Sequence, residues 1–438
     1  MSTQPDFSLS RSDDGRAYGA ATLVVLPDLS RSSNPRSPEA RLEEAVSLSA
    51  AIALDVRAAE VVRIRAPRPA TLFGQGQVEA LKARAAELDA DLIVVDGTLS
   101  PLQQRNLERE TGIKIIDRTG LILEIFGERA ATHEGRLQVE LAHLEYQASR
   151  LVRSWTHLER QRGGYGFLGG PGETQIETDR RLLRDRMARL RKELADVART
   201  RTLHRDRRQK APYPVVALVG YTNAGKSTLF NRLSGADVMA KDLLFATLDP
   251  TMRTVEIPGF DKVIMSDTVG FISDLPTQLV AAFRATLEEV LEADLILHVR
   301  DISHPDSEAQ AADVYRTLAE IGVDLDDGPP ILEVWNKIDL LSAELRADLP
   351  EREGHVAISA VTGAGVETLT ETVSARLQGD RRSYNFDIPV TDGARLAWLE
   401  ANGEMIEREL AGETMHVEVR LSSIDKGRFD RMTADAAA

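Results

Sequence analysis

Residues 215–227 read VVALVGYTNAGKS: five apolar residues, a glycine, four further residues, then Gly225-Lys226-Ser227. The apolar run suits a buried strand, and the STLFNRL that begins at Ser227 suits the opening of a helix. A strand that turns through glycines into a helix is what a polyphosphate requires. Glycines let backbone N–H groups converge on the anion, and the helix N-terminus adds a favourable dipole. Gly220, Tyr221, Thr222, Asn223, Ala224 and Gly225 would form this loop. Lys226 would bring positive charge to the outer phosphates. Ser227 would offer a hydroxyl to magnesium, and Thr228 would follow it into the helix. This stretch alone does not separate adenine from guanine.

Three further segments follow in order, each after an apolar strand. Asp267-Thr268-Val269-Gly270 ends the run KVIMS. Its aspartate can hold a metal through water, and the Gly270 N–H can meet a terminal phosphate and so sense its presence. Asn336-Lys337-Ile338-Asp339 ends ILEVW. A carboxylate at 339 can accept from the N1–H and the exocyclic amine of guanine. Adenine lacks that donor pair, so a buried acid there would discriminate strongly. Ser359-Ala360-Val361 ends HVAI and can close over the base. Each motif alone is common, but the ordered set of four is specific. A GTP/GDP site with Mg2+ is the expectation, and Lys226, Asp267 and Gly270, with one threonine of the switch segment, are its candidate catalytic residues. Thr247 lies in the switch segment 244–254, LFATLDPTMRT, which also holds Thr251 and Thr254. One hydroxyl there should reach the magnesium when the third phosphate is present. After the DTVG comes Phe271, where many Ras-like GTPases have a water-positioning glutamine. Hydrolysis by this chain alone should therefore be slow and should rise with a partner.

Upstream of the loop the pattern changes. Leu137, Leu141, Leu144, Ala148, Leu151, Trp155 and Leu158 recur at spacings of four and three, and so do Leu183, Met187, Leu190, Leu194 and Val197. These are two heptad seams. Between them, residues 163–173 read GGYGFLGGPGE. The expectation is an antiparallel helical hairpin with a glycine-rich tip. Residues 136–210 hold eighteen Lys/Arg against ten Asp/Glu, a net of +8, which leaves −23 for the rest of a chain carrying −15 overall. The basic flanks of the tip, Arg160, Arg162, Arg180, Arg181 and Arg184, suit a phosphate backbone. A solvated Arg-rich helix is the plainer alternative.

Nearer the N-terminus, strands at 22–26, 61–64, 92–95 and 113–116 alternate with helices at 38–54, 77–88 and 101–110, which implies a small parallel α/β domain. Ser37-Pro38 and Ser100-Pro101 mark two helix starts. Gly74 and Gly76 lie at a strand-to-helix turn and either make that turn or touch a phosphate. Residues 1–20 should be disordered. At the C-terminal end a helix at 394–410 and a strand at 416–421 predict a small α/β unit. The boundaries expected are 1–20, 21–131, 132–210, 211–378 and 385–430. The chain contains no cysteine, which excludes disulfides, thiolate zinc sites and a thiol nucleophile. It has no apolar run long enough for a membrane span, and its first residues show no apolar core of the kind a secretory signal needs, so a cytoplasmic location is expected; a monomer is a separate expectation.

The ordered motifs, together with DRTGLILEIF (117–126), LQVELAHLEY (137–146), GGPGETQIETDRR (169–181) and LFATLDPT, resemble the HflX family of GTPases over nearly the whole chain. The glycine tip with GPGETQIETDRR is the most specific of these. By that resemblance Thr247 is the switch threonine on magnesium, and Phe245, Ala246, Thr247, Leu248 and Asp249 line the nucleotide. The fold implied is an N-terminal parallel α/β domain, an antiparallel helical hairpin, a Ras-like P-loop GTPase domain and a small α/β C-terminal domain. The role implied is GTP-dependent association with the large ribosomal subunit and its rRNA through the hairpin around Gly163 to Arg181, with subunit splitting, rescue or biogenesis. The tip here reads YGFLGG, where the family often carries a more polar run. Two other functions fit the residues: a nucleotide-stabilised RNA-binding module without required turnover, and an ATP-using P-loop NTPase. Asp339 argues against the second. A tRNA-modifying GTPase fits less well, since that branch uses a C-terminal cysteine.

Overall fold

A computed structural model of the chain describes residues 19–29, 36–153, 171–208, 213–235, 245, 251–273, 289–325, 328–349, 354–378, 382–421 and a few beyond 424. The hairpin tip at 163–170, the switch residues 246–250 and the N-terminal residues 1–18 lie outside them.

Three sheets organise the chain. The first has four parallel strands in the order β2-β1-β3-β4: β1 (Ala21–Leu29), β2 (Asp55–Ile64), β3 (Leu92–Val95) and β4 (Lys114–Asp117). The crossovers are α1 (Pro38–Ala51), α2 (Gln75–Glu87) and α3 (Pro101–Thr111). Both expected serine caps form. Ser37 Oγ accepts from the Ala40 N–H at 3.1 Å. Ser100 and Gln103 close a reciprocal capping box, and Gly112 ends α3 in the left-handed region. The Gly74/Gly76 turn is capped from within, since the Gly74 N–H donates to Gln77 Oε1 at 2.9 Å.

Next come α4 (Arg118–Arg129), α5 (His133–Arg153) and α6 (Pro171–Arg208). Helix α4 has no counterpart in the sequence reading. Leu121, Ile122, Leu123, Ile125 and Phe126 are all buried, so apolar side chains cover most of the helix and leave only a narrow polar strip at Glu124 and Glu128. The hairpin seams are observed where described: Leu137 and Leu190 are buried, and Leu141, Leu144, Ala148, Leu183, Met187, Leu194 and Val197 are half-buried. Arg186 pairs with Glu140 and Arg191 with Glu145, at 2.7 and 2.8 Å. Each pair joins like heptad positions: Glu140 and Arg186 each precede a seam residue, and Glu145 and Arg191 each follow one. Helices running in opposite directions present such positions to each other.

The second sheet has six strands, β10-β9-β8-β5-β7-β6, all parallel except that β6 pairs antiparallel with β7. They are β5 (Val215–Val219), β6 (Thr251–Ile257), β7 (Phe260–Asp267), β8 (Leu295–Asp301), β9 (Ile331–Asn336) and β10 (His355–Ala357). Helices α7 (Lys226–Ser234), α8 (Ser307–Ile321), α9 (Ala343–Ala347) and α10 (Val366–Gln378) accompany them. The β5 end followed by α7 places residues 220–225 at the carboxyl edge of a central strand, where open α/β sheets bind ligands.

The third sheet is antiparallel, β11-β13-β12, formed by β11 (Arg382–Pro389), β12 (Glu404–Ala411) and β13 (Thr414–Leu421), with α11 (Gly393–Asn402) packed on it. This corrects the expected helix at 394–410: the helix stops at Asn402, and the EMIERELA that follows is an edge strand. Its glutamates, leucine and alanine favour helix, but pairing with β13 overrides that preference.

The first two sheets share one apolar core. Val24, Leu48, Leu123 and Phe126 join Tyr221, Phe245, Val269, Phe271 and Val290 in a single buried cluster. Among the described residues no helix is long and apolar enough to cross a membrane.

Candidate nucleotide site

The loop after β5 forces glycine at two places. Gly220 has φ +150°, and a Cβ there would drive into the Val299 carbonyl of the neighbouring strand. Gly225 has φ +93°, and a Cβ there would strike the Asn336 amide. Asn223 also sits in the left-handed region, at φ +60°. The loop therefore runs tight against β8 and β9, and Ala224 is buried beneath it.

Lys226 opens α7 and is 6% exposed. Its ammonium donates to the Gly220 and Tyr221 carbonyls at 3.1 and 2.8 Å. Burial lowers its pKa to about 8, with the nearby Asp267 carboxylate opposing that shift. Beside it, Ser227 Oγ donates to Asp267 Oδ2 at 2.7 Å, and Asp267 is fully buried at the end of β7. Thr268 Oγ1 donates to the Leu218 carbonyl at 2.6 Å and fixes the chain that leads to Gly270. The segment then zips onto the loop. Phe271 N–H donates to the Gly220 carbonyl at 3.1 Å, and Thr222 N–H to the Phe271 carbonyl at 2.8 Å. A Cβ on Gly270 would lie 2.8 Å from the Thr222 methyl and 3.1 Å from the Lys226 ammonium, so no larger residue fits.

On the other side, Asn336 spans the site. Its Nδ2 donates to the Ala224 carbonyl at 2.8 Å, and its Oδ1 accepts from the Ala360 N–H at 2.9 Å. One side chain thus holds the phosphate loop and the 359–361 segment together. Lys337 has φ +68° and pairs with Asp301 at 2.8 Å. Ile338, Ser359 and Ala360 are buried, whereas Asp339 and Val361 are exposed. The acid is therefore at the rim, and a base seated against it would complete its desolvation.

Two residues read as nucleotide-lining turn their side chains elsewhere. Phe245 is 3% exposed and meets Phe126 of α4 edge-on, with ring centroids 4.7 Å apart. The Tyr221 hydroxyl donates to Glu44 Oε2 at 2.5 Å and accepts from the Ser273 N–H at 2.9 Å. Ala246, Thr247, Leu248 and Asp249 lie outside the described residues. Thr222 and Asn223 lie in the loop, Thr228 lies in the first turn of α7, and Val269 follows β7.

The Tyr221 contact belongs to a buried polar cluster that sequence reading missed. Glu44 of α1 accepts from Arg36 at 2.6 Å and from Arg118 of α4, while Arg118 also pairs with Asp96 at 2.6 Å. Arg36 continues to Asp306 at 3.1 Å and Ser273 Oγ at 3.1 Å. Burial raises the Glu44 carboxyl, but Arg118 and Arg36 outweigh it and bring the pKa down to about 2. No local pattern marks these charges, because partners such as Arg36 and Asp306 are 270 residues apart. Glu44→Ala leaves two buried guanidinium groups without their shared carboxylate. We expect a loss of about 3–5 kcal/mol in chemical denaturation, and a loss under 1 kcal/mol would contradict this account.

Among the described residues no group of three or more His, Asp or Glu side chains is arranged to hold a metal. The Ser227 hydroxyl and Asp267 carboxylate are hard oxygen donors. They suit a magnesium ion that takes its remaining ligands from phosphate and water.

Family models match nearly the whole chain: "GTP-binding GTPase N-terminal" at residues 39–127, "GTP-binding GTPase Middle Region" at 129–208, "50S ribosome-binding GTPase" at 215–337 and "HflX C-terminal domain" at 344–437. The chain is 52% identical over 368 residues to the GTPase HflX of Magnetococcus marinus, covering 84% of each. It is 46% identical over 373 residues to that of Escherichia coli, covering 83% of this chain and 86% of the relative. A GTP-binding protein of Sulfolobus solfataricus solved with GDP aligns at 23% identity over 82% of this chain and 99% of its own, with a TM-score of 0.43, a likeness too loose to bear on the site.

Proposed function

Given that the chain belongs to the HflX family of GTPases and hydrolyses GTP, we propose that it is a magnesium-dependent switch that binds the large ribosomal subunit in its GTP form and acts there in subunit splitting, rescue or biogenesis. The observation that carries the nucleotide half is the Asn336 bridge, which gathers the phosphate loop and the base-closing segment at the edge of one sheet. The description of the matched domain as ribosome-binding supports the other half, as do the exposed arginines 181 and 184 on the hairpin.

In this reading Gly220 to Gly225 wrap the phosphates with backbone N–H groups, and Lys226 adds the charge. Ser227, with Thr247 by family resemblance, would hold a magnesium ion, which would supply positive charge to the phosphate oxygens. Asp267 orients the Ser227 hydroxyl. Gly270 meets the terminal phosphate, and Asp339 reads the guanine edge. Phe271 is 3% exposed and apolar, so it offers no group to align the attacking water. Turnover is slow until the ribosome orders the switches. Co-sedimentation with purified large subunits tests the proposal: retention with a non-hydrolysable GTP analogue and release with GDP are expected. Equal retention in both states, or equal hydrolysis with and without subunits, would overturn it.

The lowered Lys226 pKa sets a pH dependence. Below about pH 8 the free ammonium is already charged, and phosphate binding changes nothing. Above that value the free site is increasingly neutral, and an arriving phosphate draws the proton back. GDP affinity is therefore expected to fall as pH rises past 8, with proton uptake on binding at pH 8.5–9 and almost none at pH 7. Calorimetry in two buffers of different ionisation enthalpy reads this directly, and it fails if uptake is the same at both pH values.

A further inference from the structure

Arg232 belongs to none of the four nucleotide motifs, yet it touches one of them. It projects from the last turn of α7, the helix that begins with Lys226. Its Nε–H donates to the Ala360 carbonyl at 2.6 Å, and its Nη2–H to the Val361 carbonyl at 2.5 Å. Gly363, at φ +90°, lets the following turn wrap the guanidinium closely. A Cβ there would lie 2.7 Å from Nη1.

Ser359 is anchored within its own turn, its N–H donating to the Ala364 carbonyl at 2.9 Å and its carbonyl accepting from the Gly363 N–H at 2.8 Å. The Val361 side chain is 68% exposed and holds nothing. Ala360 is gripped through both of its flanking peptides, its N–H by Asn336 Oδ1 and its carbonyl by Arg232. Two successive carbonyls taken by one planar fork leave their partner N–H groups on the far side of the trans peptides. One of these, on Thr362, is occupied by Ser359 Oγ at 3.0 Å. The other, on Val361, is presented on the face turned away from the guanidinium. A cation on the carbonyl of a peptide also strengthens the N–H of that same peptide as a donor.

We propose that Arg232 is a positioning residue for guanine recognition. It ties the phosphate-binding helix to the loop that closes over the base and fixes the orientation of the backbone donors offered to the purine carbonyl. Guanine affinity then depends on a side chain that touches no part of the nucleotide. The inference rests on the nucleotide-site reading above.

The test uses the full chain and titrates GDP, then measures GTP turnover at saturation, for the wild type, Arg232→Ala and Arg232→Lys. Arg232→Ala is expected to bind GDP about tenfold more weakly, about 1.4 kcal/mol, with kcat at saturating GTP within about twofold of wild type. Arg232→Lys keeps the charge but lacks the planar fork aimed at two successive carbonyls and should fall between the two. Unchanged GDP affinity in Arg232→Ala would overturn the proposal. So would a fall in kcat as large as the fall in affinity, which would mark damage to α7, or a lysine variant no better than alanine. A wild-type chain that fails to bind GDP would overturn the nucleotide-site reading itself, a separate result.

Discussion

Asp339→Asn is expected to weaken GDP binding by about 10³-fold while admitting xanthosine diphosphate. The carboxylate can accept two hydrogen bonds, from N1–H and from the exocyclic amine of guanine. Hydrogen bonds to a charged group are worth about 1.5–3 kcal/mol each, so losing the pair costs on the order of 10²–10⁴ in affinity. Xanthine carries a carbonyl where guanine carries the amine. An asparagine side chain offers one acceptor and one donor and so matches that edge. The position suits such a swap: Asp339 sits exposed in a short 3-10 turn after Asn336, while Ile338 behind it is buried and anchored by its N–H to the Ile358 carbonyl at 3.2 Å. The side chain can change without disturbing the turn. Titration of the variant with GDP and XDP reads the result. GDP binding as tight as in the wild type would remove Asp339 from the base site.

Lys226→Ala is expected to slow single-turnover hydrolysis by about 10²–10³, with little change in the melting temperature. The two halves of this expectation have one cause. Burial makes the charged ammonium costly in the folded chain, so its removal relieves a penalty. Against that, the Gly220 and Tyr221 carbonyls lose their donor. These terms offset to within about 1 kcal/mol. The phosphate, however, loses the one side-chain cation the loop places beneath it. A variant that hydrolyses GTP within threefold of wild type would contradict this role.

The site was largely legible in the sequence because its chemistry is local. A phosphate loop must be glycine-rich and must join a strand to a helix, so both the residues and the elements around them can be read in a few positions. Lys226, Ser227, Asp267, Gly270, Asn336 and Ser359, picked out by that logic, gather at the carboxyl edge of one sheet. The elements that escaped notice lack a local signature. Helix α4 is buried on several sides, and its polar strip, Glu124 and Glu128, is too narrow to stand out. Strand β12 is composed of helix-favouring residues and exists because β13 pairs with it. The Arg36–Glu44–Arg118–Tyr221 cluster is assembled from three distant stretches, with Arg36 and Glu44 eight residues apart, and each member is an ordinary charged or aromatic residue in its own segment. Tyr221 is the instructive case: its backbone belongs to the phosphate loop, as its position in the motif implies, while its side chain serves the contact with the neighbouring sheet.

That placement bears on any attempt to work with the nucleotide-binding part by itself. Cutting the chain near residue 213 would strip the cover from Tyr221, Phe245, Val269, Phe271 and Ile272, all buried in the intact molecule. A sticky oily face would then open directly behind the phosphate loop, and a phenol that had been held by the Arg36 guanidinium and the Glu44 carboxylate would be left in water. The excised piece would arrive in the test tube with a wound beside its own active centre, and rates measured on it would describe that injury as much as the enzyme.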